Sequence, residues 1–447
     1  MASMAEQLAA NINLGAFSKA TELKKRLWFA LGCLIVYRFG TYIPLPGIDP
    51  VVMAQIFEQN AGGIMGMFNM FSGGALERMS IFALGILPYI SASIIMQLMT
   101  AVSPTIEQLK KEGEAGRKKI NQYTRYLTVF LSAFQGYGLA VGLEAMTGPG
   151  GGAVIDPGWY FRITTVITII GGTLFLMWLG EQITARGVGN GISLIIFTGI
   201  IAQLPSALAS TLELGRTGAL STILIIFLFV MMVAVISFIV FMERAQRRIL
   251  VQYPKRQQGN RMFGGESSHL PLKINVSGVI PPIFASSLLL MPATMASFGG
   301  AGGPDWLAAL TAWLGRGSPL FLTIYVGLIV FFAFFYTAIV FNPQDTAENL
   351  RKHGGFIPGI RPGQRTAEYL DYVLTRLTTV GALYLSAVCV LPEILISQYA
   401  VPFYFGGTSL LIVVSVTMDT TAQIQSHLIA HQYEGLIRKS RLRGARR

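Results

Sequence analysis

From Ile223 to Val240 every side chain except Ser237 is apolar. A half-buried strand alternates polar with apolar residues, and so does a strand of a membrane barrel; this segment does neither. In lipid the backbone must satisfy its own hydrogen bonds, and a run that is apolar all round can do so as a helix. The same texture recurs along the chain. Requiring roughly 20 mostly apolar residues per crossing gives ten spans, at 27–43, 79–101, 124–143, 161–180, 191–209, 219–242, 276–298, 319–341, 373–396 and 407–428. Composition agrees. Of 447 residues, 52% are hydrophobic and 13% charged, against about 25% charged in an ordinary soluble domain. High apolar content excludes disorder. The two cysteines, Cys33 and Cys389, both fall in spans and exclude a disulfide-stapled secreted fold. The chain reads as an all-α polytopic membrane protein.

The net charge of +12 then has to sit outside the spans. Of the 34 Lys and Arg, all but Arg38, Arg78, Arg162, Arg216 and Arg316 fall in the N-terminal segment, the even-to-odd loops or the C-terminal tail. Positive charge marks the cytoplasmic side, so both termini are expected there, as an even number of spans requires. Lys24, Lys25 and Arg26 precede an apolar run as in a signal peptide, but no small-residue cleavage site follows. The expected organisation is a cytoplasmic segment 1–26, an N-terminal half 27–209, a C-terminal half 219–428 and a basic tail 429–447. Five spans per half, an odd number, would leave the halves inverted, as in many transport proteins.

Three segments break the pattern. Residues 62–73 are apolar and uncharged but too short to span, which suits a re-entrant or cavity-filling element. The cytoplasmic loops 243–275 and 342–372 are longer than connectors need to be. Much chemistry is missing. No Lys follows a Gly, so there is no Walker A loop, and there is no H-E-x-x-H. His427 and His431 stand at i, i+4 without an acidic or Cys ligand nearby. No metal, cofactor or catalytic set is expected. Ionisable residues deep in spans are nearly missing: Asp419 is the only acid well inside one, Glu393 sits near the outer end of span nine and Arg38 in the outer half of span one, whereas coupled transporters and intramembrane hydrolases need such groups buried. A ten-span solute channel or secondary transporter remains the alternative, with poor support. A pathway lined by Ile, Leu, Gly, Ser and Thr suits a bulky, chemically varied cargo that must pass without sticking.

Several long segments resemble the SecY family, the pore subunits of protein-conducting channels. They are SIFALGILPYISASIIMQLM (80–99), WLGEQITARGVGNGISLIIF (178–197), MFNMFSGGAL (67–76), VIPPIFASSLLLMPAT (279–294), FNPQDTAENLRKHGGFIPGIRPG (341–363) and VPFYFGGTSLLIVV (401–414). The resemblance implies ten transmembrane helices in two inverted five-helix halves, hinged between spans five and six around a central hourglass pore. It places Ile86, Ile90, Ile192, Ile196, Ile283 and Ile412 in a constriction ring. A branched apolar ring excludes water and ions by dewetting. Ile86 with Ile90, and Ile192 with Ile196, share a helix face at i, i+4.

The same resemblance makes 62–76 a plug, with Met65, Gly66, Met67, Phe68, Asn69, Met70, Phe71, Ser72 and Gly73 at its centre. Its glycines and lack of charge suggest that it leaves its cavity cheaply. Spans two and seven match a lateral gate toward lipid, with Ser91, Gln97, Asn275 and Met291 as candidate residues. Pro88, Pro281 and Pro282 are expected to remove backbone hydrogen bonds from these spans and let them bend. The two cytoplasmic loops match docking hairpins carrying Arg256, Arg261 and Arg361. The family pattern often has a second basic residue where Asn260 stands here. The implied partners are the small membrane subunits SecE and SecG, the motor ATPase SecA, the translating ribosome, signal sequences, unfolded preproteins and membrane lipid. The implied location is the bacterial plasma membrane. The implied function is passage of unfolded secretory proteins outward and release of transmembrane segments sideways, without an enzymatic activity.

Overall fold

The computed structural model describes residues 21–60, 69, 72–148, 151–218, 221–253, 256–258, 261–263, 267–298, 318–399 and 407–444. Ten long helices take the places of the ten expected spans. In order they are α1 (Thr21–Gly40), α3 (Leu87–Val102), α5 (Glu114–Ala145), α6 (Trp159–Arg186), α7 (Gly191–Arg216), α8 (Thr222–Arg244), α9 (Ile280–Phe298), α10 (Pro319–Val340), α12 (Gln364–Tyr399) and α13 (Gly407–Gly444). Among the described residues three shorter helices lie between them, α2 (Pro50–Asn60), α4 (Pro104–Lys111) and α11 (Pro343–Lys352). Among the described residues, six helical stretches, which include α5 to α8, α10 and α12, are long and apolar enough to cross a membrane. The pair α3 and α4, bent by 98°, is long and apolar enough only when taken together.

Strands among the described residues are confined to loops. β1 (Thr147–Gly148) pairs antiparallel with β2 (Gly151–Gly152) between α5 and α6. In the loop between α8 and α9, β3 (Gln246–Gln252) pairs antiparallel with β6 (Ser267–Lys273), and β4 (Arg256–Gln258) with β5 (Arg261–Phe263).

Helix α3 corrects the expected second span. It starts at Leu87 rather than at residue 79, with Pro88 in its first turn. Before it the chain runs as successive turns, with Met79 at φ 42° and Gly85 at φ 55°. Irregular backbone at membrane depth is tolerated where protein buries it. Here Ile81 N–H donates to the Ile43 carbonyl at 3.0 Å, and Leu45 N–H to the Met79 carbonyl at 2.8 Å. The expectation that Pro88, Pro281 and Pro282 remove backbone hydrogen bonds from the two gate spans fails. Pro88 opens α3, and Pro281 and Pro282 lie in the first turn of α9, where a missing N–H costs no intrahelical bond.

One large apolar core draws on α1, α3, α6, α7, α8, α9, α10, α12 and α13. A second, around Met53, Met79, Leu139 and Phe161, holds α2 and the turn segment against α5 and α6. Lipid gives helices no hydrophobic drive to associate, so small residues that admit close approach carry much of the packing. A Cβ on Gly172 of α6 would collide with the Ile81 carbonyl, and one on Gly407 of α13 with the Val388 carbonyl of α12. The halves meet along two seams: α7 and α1 against α13, with α7 against α8, and α3 and α5 against α9.

Candidate functional site

All six isoleucines belong to the main apolar core or pack against it. Ile86, Ile90, Ile196 and Ile412 are buried in the main core, and Ile192 and Ile283 are half-buried against it. Their placement is set by helix starts. Ile86 precedes α3, and its carbonyl accepts from Ile90 N–H at 3.1 Å. The Asn190 side chain caps α7, accepting from Ile192 N–H at 3.1 Å, which is the ordinary role of Asn at such a position. Ile283 is in the first turn of α9 and Ile412 in the second turn of α13. Four helices therefore present these side chains within two turns of their N-termini.

Of the plug residues, Asn69, Ser72 and Gly73 are described; Met65, Gly66, Met67, Phe68, Met70 and Phe71 lie outside the described residues. The described end is held by specific contacts, which corrects the expectation of a cheap departure. Arg38 of α1 donates to the Gly73 carbonyl at 2.7 Å, and Tyr37 to the Ser72 carbonyl at 3.2 Å. Gln203 of α7 donates to the Asn69 carbonyl at 3.2 Å. The Asn69 amide donates to Glu77 at 3.1 Å and its oxygen accepts from Glu77 N–H at 3.0 Å. Gly73, at φ 69°, sits so close to Gly199 that a Cβ on it would stand 2.8 Å from the Gly199 Cα. Arg38 and Arg78 both lie over the Tyr42 ring, at 5.6 Å and 4.2 Å. An arginine inside a span was the signal available in the sequence; its partner, 35 residues away, was not.

At the proposed gate α3 packs on α9. Ser91 is buried. Gln97 donates at 3.5 Å to Ser93 of its own helix, and its oxygen is buried with no partner among the described residues. Met291 lies in α9, but its side chain is outside the described residues. Asn275 does not reach across. Its amide nitrogen donates to Glu243 of α8 at 2.7 Å and to the Gly278 carbonyl at 3.0 Å, and its oxygen accepts from Ser277 at 3.1 Å. Its polarity is spent inside the C-terminal half.

In the loops expected on the cytoplasmic side, Arg256 and Arg261 lie in β4 and β5, with Gln258 paired to Arg261; their side chains are outside the described residues. Arg361 is exposed on a turn between Gly359 at φ 81° and Gly363 at φ 108°. Its carbonyl accepts from Thr366 Oγ1 at 2.9 Å, which ties the turn to the start of α12.

A bundle of long apolar helices with buried irregular backbone leading into α3 has the fold of a protein-conducting channel. A solved protein-conducting channel superposes with a TM-score of 0.65 at 17% identity, over 91% of this chain and 92% of that one. Sec61 from the canine ribosome–channel complex superposes with a TM-score of 0.62 at 17% identity, over the same shares. The SecY family model matches residues 80–421. The protein translocase subunit SecY of Escherichia coli K12 is 57% identical over 424 residues, 95% of this chain and 96% of that protein. The chain belongs to the SecY family.

Proposed function

We propose that this chain is the central subunit of a Sec translocon. It passes unfolded secretory proteins across the bacterial plasma membrane and lets transmembrane segments leave sideways into lipid. It is a channel and not an enzyme. The observation that carries the reading is the match of residues 80–421 to the SecY family; six isoleucines from four helices, all in the main apolar core or packed against it, fit a seal. Branched side chains of that kind dewet a narrow opening, and they offer a passing chain no polar partner. The plug covers the opening from outside, held at its 72–73 end by Tyr37 and Arg38. Both termini lie in the cytoplasm, where the basic loops and tail face the motor SecA or the ribosome. SecE and SecG complete the complex in the membrane. Signal sequences open the seam between α3 and α9.

The test is reconstitution of the complex with SecA, ATP and a signal-bearing preprotein in sealed vesicles. The expected result is protection of the preprotein from added protease, dependent on ATP and on the signal. Absence of protection, or protection without a signal, contradicts the reading. Docking is tested separately by Arg361→Glu, which reverses one charge on a stiff turn. It should weaken export and ribosome binding while leaving the resting conductance unchanged.

A further inference from the structure

Where α10, α11 and α12 meet, the chain encloses a cavity of about 910 Å³, a size that suits a small-molecule ligand. Its lining divides by chemistry. The apolar part is Phe334, Ala338, Phe341, Ala347 and Leu374. The charged part is Glu348 and Arg351 of α11 with Glu368 and Asp371 of α12. Phe331 and Val340, on the same stretch of α10, are exposed, and α10 lies in one of the stretches long and apolar enough to cross a membrane. The cavity stands where that apolar helix gives way to a polar loop, which is the level of lipid headgroups.

Most of the charge cancels in pairs. Lys352 meets Glu348 at 3.1 Å, and Arg365 approaches Glu368 at 3.9 Å. Arg351 and Asp371 remain, and neither side chain has an ion pair among the described residues. One cation and one anion on one cavity sum to zero while offering both signs. A hydroxyl is left over as well. Thr375 and Thr378, which line the same cavity, return their hydroxyls to carbonyls of their own helix, each at 2.9 Å. Thr337 does not. It is 4% exposed, and its Oγ1 is buried with no partner among the described residues. A buried hydroxyl in that state carries an uncompensated desolvation cost, and Thr337 lines the cavity from which a partner can come.

We propose that this cavity binds the headgroup of a zwitterionic phospholipid with a primary amine, of the phosphatidylethanolamine type. The Arg351 guanidinium takes the phosphate, whose geometry its fork of donors matches. The Asp371 carboxylate accepts from the ammonium. Thr337 donates to an ester carbonyl of the glycerol, and the Phe334 side of the cavity receives the start of an acyl chain. Phosphatidylglycerol brings a negative charge and nothing for Asp371. Phosphatidylcholine brings a positive charge with no N–H to donate. The carboxylate therefore selects the amine, while the arginine holds the phosphate that all three lipids share.

The test uses the complete complex in phosphatidylcholine vesicles that contain a small fraction of a photoreactive lipid. The reactive group sits near the carbonyl end of an acyl chain. Probes with ethanolamine, glycerol and choline headgroups are compared, and labelled peptides are mapped by mass spectrometry. The ethanolamine probe should label residues 331–341 about tenfold more than either of the others, as one hydrogen bond to a charged group allows. Asp371→Asn should remove the preference for ethanolamine over choline. Arg351→Gln should lower labelling by all the probes about tenfold, and Thr337→Val, which keeps the shape, about threefold. Asp371→Lys puts two free cations on the cavity and should turn the preference toward the glycerol headgroup, an inversion that a merely structural role for Asp371 would not produce. Each variant is first checked for parental helix content and elution volume.

Equal labelling by the probes in the parent overturns the proposal, because the cavity would then meet only annular lipid. A preference for the glycerol headgroup in the parent overturns it too. No label at 331–341 in the complete complex would mean that a protein segment fills the cavity. Displacement of the probe by soluble glycerophosphoethanolamine at matching concentration would mean that the ligand is a free phosphoamine. Either result overturns the lipid assignment.

Discussion

The two seams between the halves are built from different materials. On one side α7 and α1 lie against α13, and a hydrogen bond crosses: Gly189 N–H donates to Gln423 Oε1 at 2.9 Å. Close by, a Cβ on Gly189 would stand 3.2 Å from Thr420 Oγ1. Leu23 of α1 and Val188 bury together against Ile424 and Leu428 of α13. On the other side α3 and α5 lie against α9. There Ile90 and Ile94 share the main apolar core with Phe284 and Leu289, and no hydrogen bond joins α3 or α5 to α9 among the described residues. The polar groups nearby bond within their own half, Gln97 to Ser93 and Asn275 to Glu243. In lipid an apolar contact between helices can be exchanged for lipid tails at small cost, whereas parting the first seam would also break its hydrogen bond. On the gate reading proposed above, the first seam stays closed and the second parts.

The largest effect should come at the proposed ring. Ile90→Asn with Ile196→Asn puts amides on the N-terminal half and leaves Ile283 and Ile412 unchanged on the other. Wetting should raise the resting ion conductance in a planar bilayer by about tenfold, the change that ~1.4 kcal/mol off a barrier produces. Unchanged conductance would remove these residues from the seal and leave the ring a packing feature.

A smaller effect is expected at the proposed plug, whose described residues 69, 72 and 73 are moored to α1 and α7 of the N-terminal half. Arg38→Gln removes a charge-assisted hydrogen bond to the Gly73 carbonyl, worth about 1 kcal/mol at a half-exposed site. Export of a preprotein with a weakened signal should rise severalfold, while the helical fold stays intact by circular dichroism. No change in signal dependence would mean that the mooring does not restrain the plug. Deleting residues 65–73 should have the same sign and exceed it.

The smallest effect should fall on the seam that stays closed. Gln423→Ala removes its cross-half hydrogen bond, which costs about 1 kcal/mol. The melting temperature of the purified complex should fall by a few degrees, with export rate and resting conductance unchanged. A large loss of export would show that this seam also moves in each cycle.

The helices were legible in the sequence because lipid imposes a pattern that composition alone reveals. What the pattern could not separate was a helix from buried irregular backbone. Residues 79–86 are as apolar as the helix that follows, and the turns they form are satisfied by Ile43 and by one another. Prolines show the same limit: whether Pro88 bends a helix or starts one depends on a boundary that hydropathy does not mark. The ring isoleucines could be named only through their matched motifs, since an isoleucine in a span is ordinary. The roles of Arg38 and Asn275 were hidden by distance. Their partners stand 35 and 32 residues away, and a polar residue near a gate looks the same whether it bonds across the seam or back into its own half. The docking loops were recognisable as long and basic, but their shared core depends on Ile249, Ile357 and Leu370, which no local pattern joins.

The unequal seams are tested most directly by locking each in turn. With Cys33 and Cys389 replaced by Ser, one protein carries Ser91→Cys with Met291→Cys across α3 and α9. Another carries Leu23→Cys with Ile424→Cys across α1 and α13. A disulfide requires Cα atoms within about 7 Å, so each pair is closed with a short bifunctional reagent and the cross-link confirmed before assay. Preprotein export and release of a transmembrane segment are then measured in the reconstituted complex. The account predicts that the α3–α9 lock stops both, that a longer linker restores them, and that the α1–α13 lock leaves both near normal. Full export through a confirmed short α3–α9 link, or loss of export through the α1–α13 link alone, would contradict it.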